Sequence, residues 1–93
     1  MAAKRVPGKD IGHIMLYALS TCGWCAKTRK FLEDLGVEYY YEYVDLLQGE
    51  ERDQVIREVE KWNPSRSFPT LVVNGDTVII GYRENAIRET IKV

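Results

Sequence analysis

Cysteine is scarce in this sequence, and the scarcity excludes a class of folds. Two cysteines in 93 residues cannot staple a small domain in the manner of secreted scaffolds, which space several of them widely along the chain. Histidine is scarcer still, with His13 alone. A structural zinc takes about four ligands, so two cysteines and one distant histidine would need a second chain to complete a site. Neither sign of charge prevails, with 13 Lys+Arg against 14 Asp+Glu. The basic residues are scattered, apart from Lys4, Arg5 and Lys9 near the start. That balance gives no electrostatic pull toward nucleic acid. Long apolar runs are missing too. The longest, Ile14 to Leu19, is far short of the roughly 20 residues that cross a membrane. No secretory signal is visible, and the expectation is a cytoplasmic monomer that engages neither nucleic acid nor membrane.

What is present is enough for one compact domain. A chain of this length buries roughly 60–65% of its unfolded surface, which leaves room for a shallow site built from loops and helix ends. Residues 1–12, punctuated by Pro7-Gly8 and Gly12, read as a flexible lead-in, and residues 13–93 as the domain. His13 to Leu19 is apolar without strict alternation, the pattern of a strand covered on both faces. Cys25, Thr28, Leu32 and Leu35 fall on one side of a helical period, giving an amphipathic helix over 23–35 that ends at Gly36. Residues 37–44 form a second strand rich in tyrosine. Tyr39, Tyr41 and Tyr43 share one face, either packed under a helix or free as a stacking platform.

A second helix spans about 50–61, with Val55, Ile56, Val59 and Trp62 as its apolar stripe, and Asn63-Pro64 stops it. Strands at 71–73 and 77–80 flank Asn74-Gly75-Asp76, a hairpin turn signal. A last helix covers about 84–91. The order is β-α-β-α-β-β-α. A helical crossover makes the first two strands parallel, and the hairpin adds an antiparallel pair. The predicted fold is α/β, a four-stranded mixed sheet with helices on both faces.

The chemistry lies in Cys22-Gly23-Trp24-Cys25, set between the first strand and the first helix. Cys22 falls at a helix N-terminus, where free backbone N–H groups and the helix dipole favour an anion, here a thiolate. Cys25 lies one turn further in, near enough for the sulfurs to bond. The outer sulfur would attack a substrate disulfide, and the inner one would displace the resulting mixed disulfide. Cys22 should therefore be reachable and Cys25 covered. Gly23 allows a sharp turn and an open approach, while Trp24 should project beside Cys22 to flank a docked partner or cap the helix. Two further readings of the pair stay open: an iron–sulfur cluster held by Cys22 from two subunits, and an inert or purely structural pair.

Three segments together resemble the glutaredoxin-like members of the thioredoxin superfamily. They are the strand–Cys22-Gly23-Trp24-Cys25–helix unit, Phe68-Pro69-Thr70 before a strand, and Gly81-Tyr82-Arg83-Glu84 before the last helix. The resemblance implies a thioredoxin-like fold over nearly the whole chain and dithiol–disulfide oxidoreductase activity with Cys22 and Cys25 as catalytic residues. It implies a cis bond before Pro69 and a substrate surface formed by Trp24, Phe68, Pro69, Thr70, Gly81, Tyr82 and Arg83. No bound cofactor or metal is expected. Electrons would come from an NADPH-linked flavoprotein of the thioredoxin reductase type, or from a low-molecular-weight thiol.

Departures from the family pattern narrow the choice. Gly23 and Trp24 replace the usual proline and tyrosine. Leu19 stands where a lysine helps hold a glutathione carboxylate, and Arg83 stands where an aspartate is usual. These changes weaken recognition of glutathione, because charge-assisted hydrogen bonds are lost. Gly81-Tyr82-Arg83 instead resembles the glutaredoxin-shaped hydrogen donors of ribonucleotide reductase. The expected partners are disulfide-containing proteins, ribonucleotide reductase among them.

Overall fold

The computed structural model describes residues 3–91. The elements are β1 (Lys4–Val6), β2 (Ile14–Ala18), α1 (Gly23–Leu35), β3 (Tyr39–Tyr43), a short 3-10 turn (Val44–Leu46), α2 (Gly49–Trp62), β4 (Thr70–Val73), β5 (Thr77–Ile80) and α3 (Glu84–Thr90). They form one mixed sheet of strand order β1-β3-β2-β4-β5. β2 and β3 are parallel, as the helical crossover requires, and β4 runs antiparallel to both β2 and β5.

The sheet has five strands, one more than the sequence pattern suggests. The extra strand comes from the lead-in: Lys4, Arg5 and Val6 pair antiparallel with Tyr41, Tyr40 and Tyr39. Three residues with one apolar side chain carry no periodic signal, so the strand is specified by the edge it completes. Arg5 binds Glu38 across that edge at 2.6 Å. Lys9 donates to Gly36 O at 2.8 Å and accepts from Glu38 N–H at 2.9 Å, which ties the following segment to the start of β3.

β2 lies at the centre and is buried along its whole length. Its alternate side chains serve two cores. Ile14, Leu16 and Ala18 pack with Phe31 and Leu32 of α1 and Ile87 of α3 on one face. Met15 and Tyr17 pack with Val55 and Val59 of α2 on the other. This double burial explains the unbroken apolar run. Because both faces are apolar, hydrophobicity alone does not fix the register. Tyr17 distinguishes the faces, since its hydroxyl donates to Glu58 Oε2 of α2 at 3.1 Å.

Tyr39 is fully buried, and Tyr41 and Tyr43 pack beside it against the core. Arg29 of α1 covers them, with its guanidinium 3.8 Å from the Tyr41 ring centre and hydrogen bonds to the Tyr39 and Tyr43 hydroxyls at 3.1 and 2.7 Å. The tyrosine face is packed under a helix and offers no stacking platform. The hairpin between β4 and β5 turns at Asn74 and Gly75, both at positive φ, 55° and 68°. Three residues, Asn74-Gly75-Asp76, separate the paired Val73 and Thr77, and Asp76 closes the turn by donating its N–H to Val73 O at 3.3 Å.

Asn63 does more than end α2. It is buried, and its Nδ2 donates to Ser67 O, Ser67 Oγ and Thr70 Oγ1 at 3.0–3.1 Å. Its Oδ1 accepts from Ser65 N–H and Ser65 Oγ at 3.2 and 2.7 Å. The amide is the hub of the loop leading to β4. Replacing it with alanine removes the whole set at once. Ser65 and Ser67 are exposed and can turn to water, so the cost is the net worth of the lost bonds, about 0.5–1.5 kcal/mol each. Asn63→Ala is therefore expected to lower stability by at least about 2 kcal/mol, read as a fall in the urea midpoint at unchanged slope.

Candidate functional site

The sheet brings three segments to one edge. β2 ends there and feeds the turn to Cys22. β3, parallel to it, also ends there. β4, antiparallel, begins there, with Thr70 opposite Tyr17. Phe68 and Pro69 thus lie beside the turn that carries the cysteines, and the bond between them is cis.

Cys22 is the N-cap of α1, in extended conformation, and its Sγ accepts from Cys25 N–H at 3.2 Å. One of the free N–H groups of the helix start is thereby spent on that sulfur. Cys22 is half-buried, whereas Cys25 is fully covered and belongs to the core under α1 and α3. Both are free thiols here. Burial pushes the Cys25 thiol up to about 12, and a side-chain hydrogen bond to Cys22 adds to the shift. Cys25 therefore keeps its proton at neutral pH. The helix begins on these residues because the cysteine sulfur substitutes for the usual oxygen cap.

Gly23 has no atom within 4 Å of where a Cβ would stand, so a side chain would fit there. Its φ is not in the left-handed region, so the turn itself does not require glycine. Trp24 is 58% exposed. Its ring stacks on Tyr82 at 5.9 Å between centroids, and Lys27 Nζ sits 4.7 Å from the ring centre.

Trp24, Phe68, Pro69, Gly81 and Tyr82 enclose a shallow depression of about 260 Å³. Gly81 takes φ +84° there and donates its N–H to Pro69 O at 2.8 Å, a conformation that a side chain would strain. Two residues expected in this surface are placed otherwise. Thr70 is buried, with its hydroxyl donating to Ser67 O at 2.8 Å. Arg83 is exposed and borders a separate hollow with Glu84, Asn85 and Ala86. Among the described residues no three His, Cys, Asp or Glu side chains are grouped to hold a metal ion. His13 stacks on Tyr40 at the opposite end of β2.

With this geometry in place, the comparisons with known proteins are decisive. Residues 14–78 match the glutaredoxin family. The chain belongs to that family. The glutaredoxin from Methanosarcina mazei Go1 superposes with a TM-score of 0.91 at 45% identity, covering 100% of this chain and 90% of that one. Methanoredoxin from Methanosarcina acetivorans gives 0.89 at 49% identity, over 92% of this chain and 90% of that one. The Gene 56 protein of Mycobacterium phage D29 is 33% identical over 84% of this chain and 81% of its own length. This glutaredoxin is a thiol–disulfide oxidoreductase whose redox chemistry uses the close cysteine pair.

Sequence reasoning missed a groove beside the depression. Leu19, Val44, Asp45, Arg52, Ile56, Val59, Ser65, Arg66 and Phe68 line a cavity of about 390 Å³. Arg66 adopts φ +53°, which is unusual for a non-glycine residue. The two arginines come from α2 and from the loop after it, and no spacing in the sequence links them.

Two expectations follow for this glutaredoxin. Gly23→Pro should be accommodated, because the residue lies at the first helical position, where its N–H has no helical partner. Cys22, at φ −90° and ψ 117°, already suits a residue before proline. The gain should be about 0.4–1 kcal/mol, seen as a higher melting midpoint, and a loss would contradict the described turn.

The second concerns pH. The folded chain holds the Cys25 proton to higher pH than the unfolded chain, so its contribution is complete below about 8.5 and is lost as pH rises toward 12. Tyr17 and Tyr39, also pushed up by burial, add their own loss only above about 10. Between about pH 8.5 and 10 the reduced protein should therefore lose up to about 2 kcal/mol relative to Cys25→Ser. Urea titrations at stepped pH check this, and parallel curves would refute it.

Proposed function

We propose that this glutaredoxin reduces protein disulfides by a dithiol route, with Cys22 as the nucleophile and Cys25 as the resolving thiol. The observation that carries the reading is the unequal setting of the two sulfurs: Cys22 Sγ at the helix start accepting from Cys25 N–H at 3.2 Å, and Cys25 fully buried behind it. Cys22 thiolate attacks one sulfur of the substrate disulfide, and the other leaves as thiolate. Cys25 gives up its proton to solvent or to the departing thiolate and attacks Cys22 Sγ. The second substrate thiolate leaves, and two electrons have passed to the substrate. The Cys22–Cys25 disulfide is then recharged by an NADPH-linked flavoprotein of the thioredoxin reductase type.

The aromatic wall of Trp24 and Tyr82, with Phe68 and Pro69 opposite, suits an extended segment of a protein substrate. The resemblance of Gly81-Tyr82-Arg83 to ribonucleotide reductase hydrogen donors makes that enzyme the first substrate to test. The fold of NrdH-redoxin from Escherichia coli is shared at a TM-score of 0.64 and 22% identity.

A second reading has its own observation. The groove holding Arg52 and Arg66 restores positive charge near Leu19, where the family's lysine is absent. That supports a low-molecular-weight thiol with an anionic end as an alternative donor. One experiment separates the two. NADPH consumption is followed with a thioredoxin reductase and a protein disulfide, for the parent, Cys22→Ser and Cys25→Ser. The dithiol reading expects both variants to lose at least about 100-fold in rate. Full activity of Cys25→Ser with a small thiol donor, and none of the parent with the reductase, would favour the second reading and overturn the first.

A further inference from the structure

The turn that presents Cys22 has little packing to hold it. Ser20 and Thr21 are exposed, and its one internal backbone bond is Cys22 N–H to Leu19 O at 3.2 Å. Its other anchor lies on the neighbouring strand. β2 and β3 run parallel with Ala18 opposite Tyr43, so the residues two beyond each, Ser20 and Asp45, leave the sheet side by side. Both carboxylate oxygens of Asp45 are used. Oδ1 accepts from Ser20 N–H at 2.9 Å and Oδ2 from Ser20 Oγ at 2.5 Å.

We propose that Asp45 is a positioning residue for the dithiol: its carboxylate fixes Ser20, and through Ser20 the turn that sets Cys22 over Cys25. The inference rests on the dithiol reading above. Asp45 does not touch the reacting sulfurs. Its charge nevertheless reaches the site, since it contributes to holding the proton on buried Cys25. The bonds to Ser20 in turn hold the Asp45 carboxyl below the usual carboxylate range, so the carboxylate is ionised at neutral pH. Position and charge act together, and different substitutions separate them. Asparagine keeps an acceptor for Ser20 N–H and removes the charge. Alanine removes both. Ser20→Ala removes one bond and leaves the charge.

The test measures kcat and KM for reduction of bis(2-hydroxyethyl) disulfide with dithiothreitol as the electron source. It also measures the iodoacetamide rate of Cys22, the potential of the pair in dithiothreitol redox buffers, and the melting midpoint. Asp45→Ala should lower kcat about tenfold, the effect of losing a charge-assisted bond, with KM within about twofold. Asp45→Asn should recover most of that loss. Both should move the potential to less negative values, because a nearby negative charge no longer opposes the anionic reduced form. Ser20→Ala should lower kcat by a smaller factor and leave the potential in place.

The proposal is overturned if Asp45→Ala matches the parent in kcat and alkylation rate. It is equally overturned if Asp45→Ala and Asp45→Asn lose activity alike at the parent's potential, since that is the behaviour of a scaffold residue. Should Asp45→Ala fail to fold, Asp45→Asn and Ser20→Ala decide: parental kcat in both, with the parental potential in Asp45→Asn, overturns it. A parent that forms no Cys22–Cys25 disulfide in the redox buffers would instead sink the dithiol reading and this proposal with it. An active parent with unmoved variants sinks only this one.

Discussion

The double burial of β2 is the constraint on which the rest of the structure depends. Ile14, Leu16 and Ala18 face one core and Met15 and Tyr17 the other. Burying a side chain of that size is worth roughly 1.5–3 kcal/mol, so the strand is held from both sides. With a parallel neighbour on one flank and an antiparallel one on the other, its C-terminal end becomes the meeting point of three segments. The cysteine turn, Asp45 and the Phe68–Pro69 loop are neighbours for this reason, although they lie far apart in the chain.

The same burial gives the two thiols unequal settings. Helix α1 starts at the sheet edge and runs back over the core, so its cap residue stays at the surface and the residue one turn in is drawn under the helix. Cys22 remains reachable and Cys25 is sealed among Ile87, Leu16 and their neighbours. The inner thiol keeps its proton at neutral pH, and the outer sulfur is the one that solvent reaches.

What surrounds the pair is shallow, as a chain this small dictates. An aromatic wall on one side and an arginine-bearing groove on the other meet at Phe68. The first is mostly apolar, and the second carries Arg52, Arg66 and Asp45. Asn63 lies buried behind this surface and Asp45 lies within it, and each holds a neighbouring loop through hydrogen bonds.

Much of this was legible in the residues. The apolar run of β2, the helical period after Cys22, the Asn74-Gly75 turn and the spacing of the cysteines each carry a local physical signal, and the elements they predict are present with ends shifted by a residue or so. The glutaredoxin family was legible because its motifs are short and contiguous. The edge strand β1 was not, because Lys4, Arg5 and Val6 pair only where β3 offers an open edge. Nor were the roles of Asn63, Asp45, Arg52 and Arg66, since polar side chains acquire partners from distant segments and leave no periodic trace. The sequence alone determined which sulfurs are available and on which elements they ride, because those depend on neighbours along the chain. Only the tertiary structure decided which sulfur is exposed, what holds the turn and which charges line the approach, because those depend on contacts that the sheet creates.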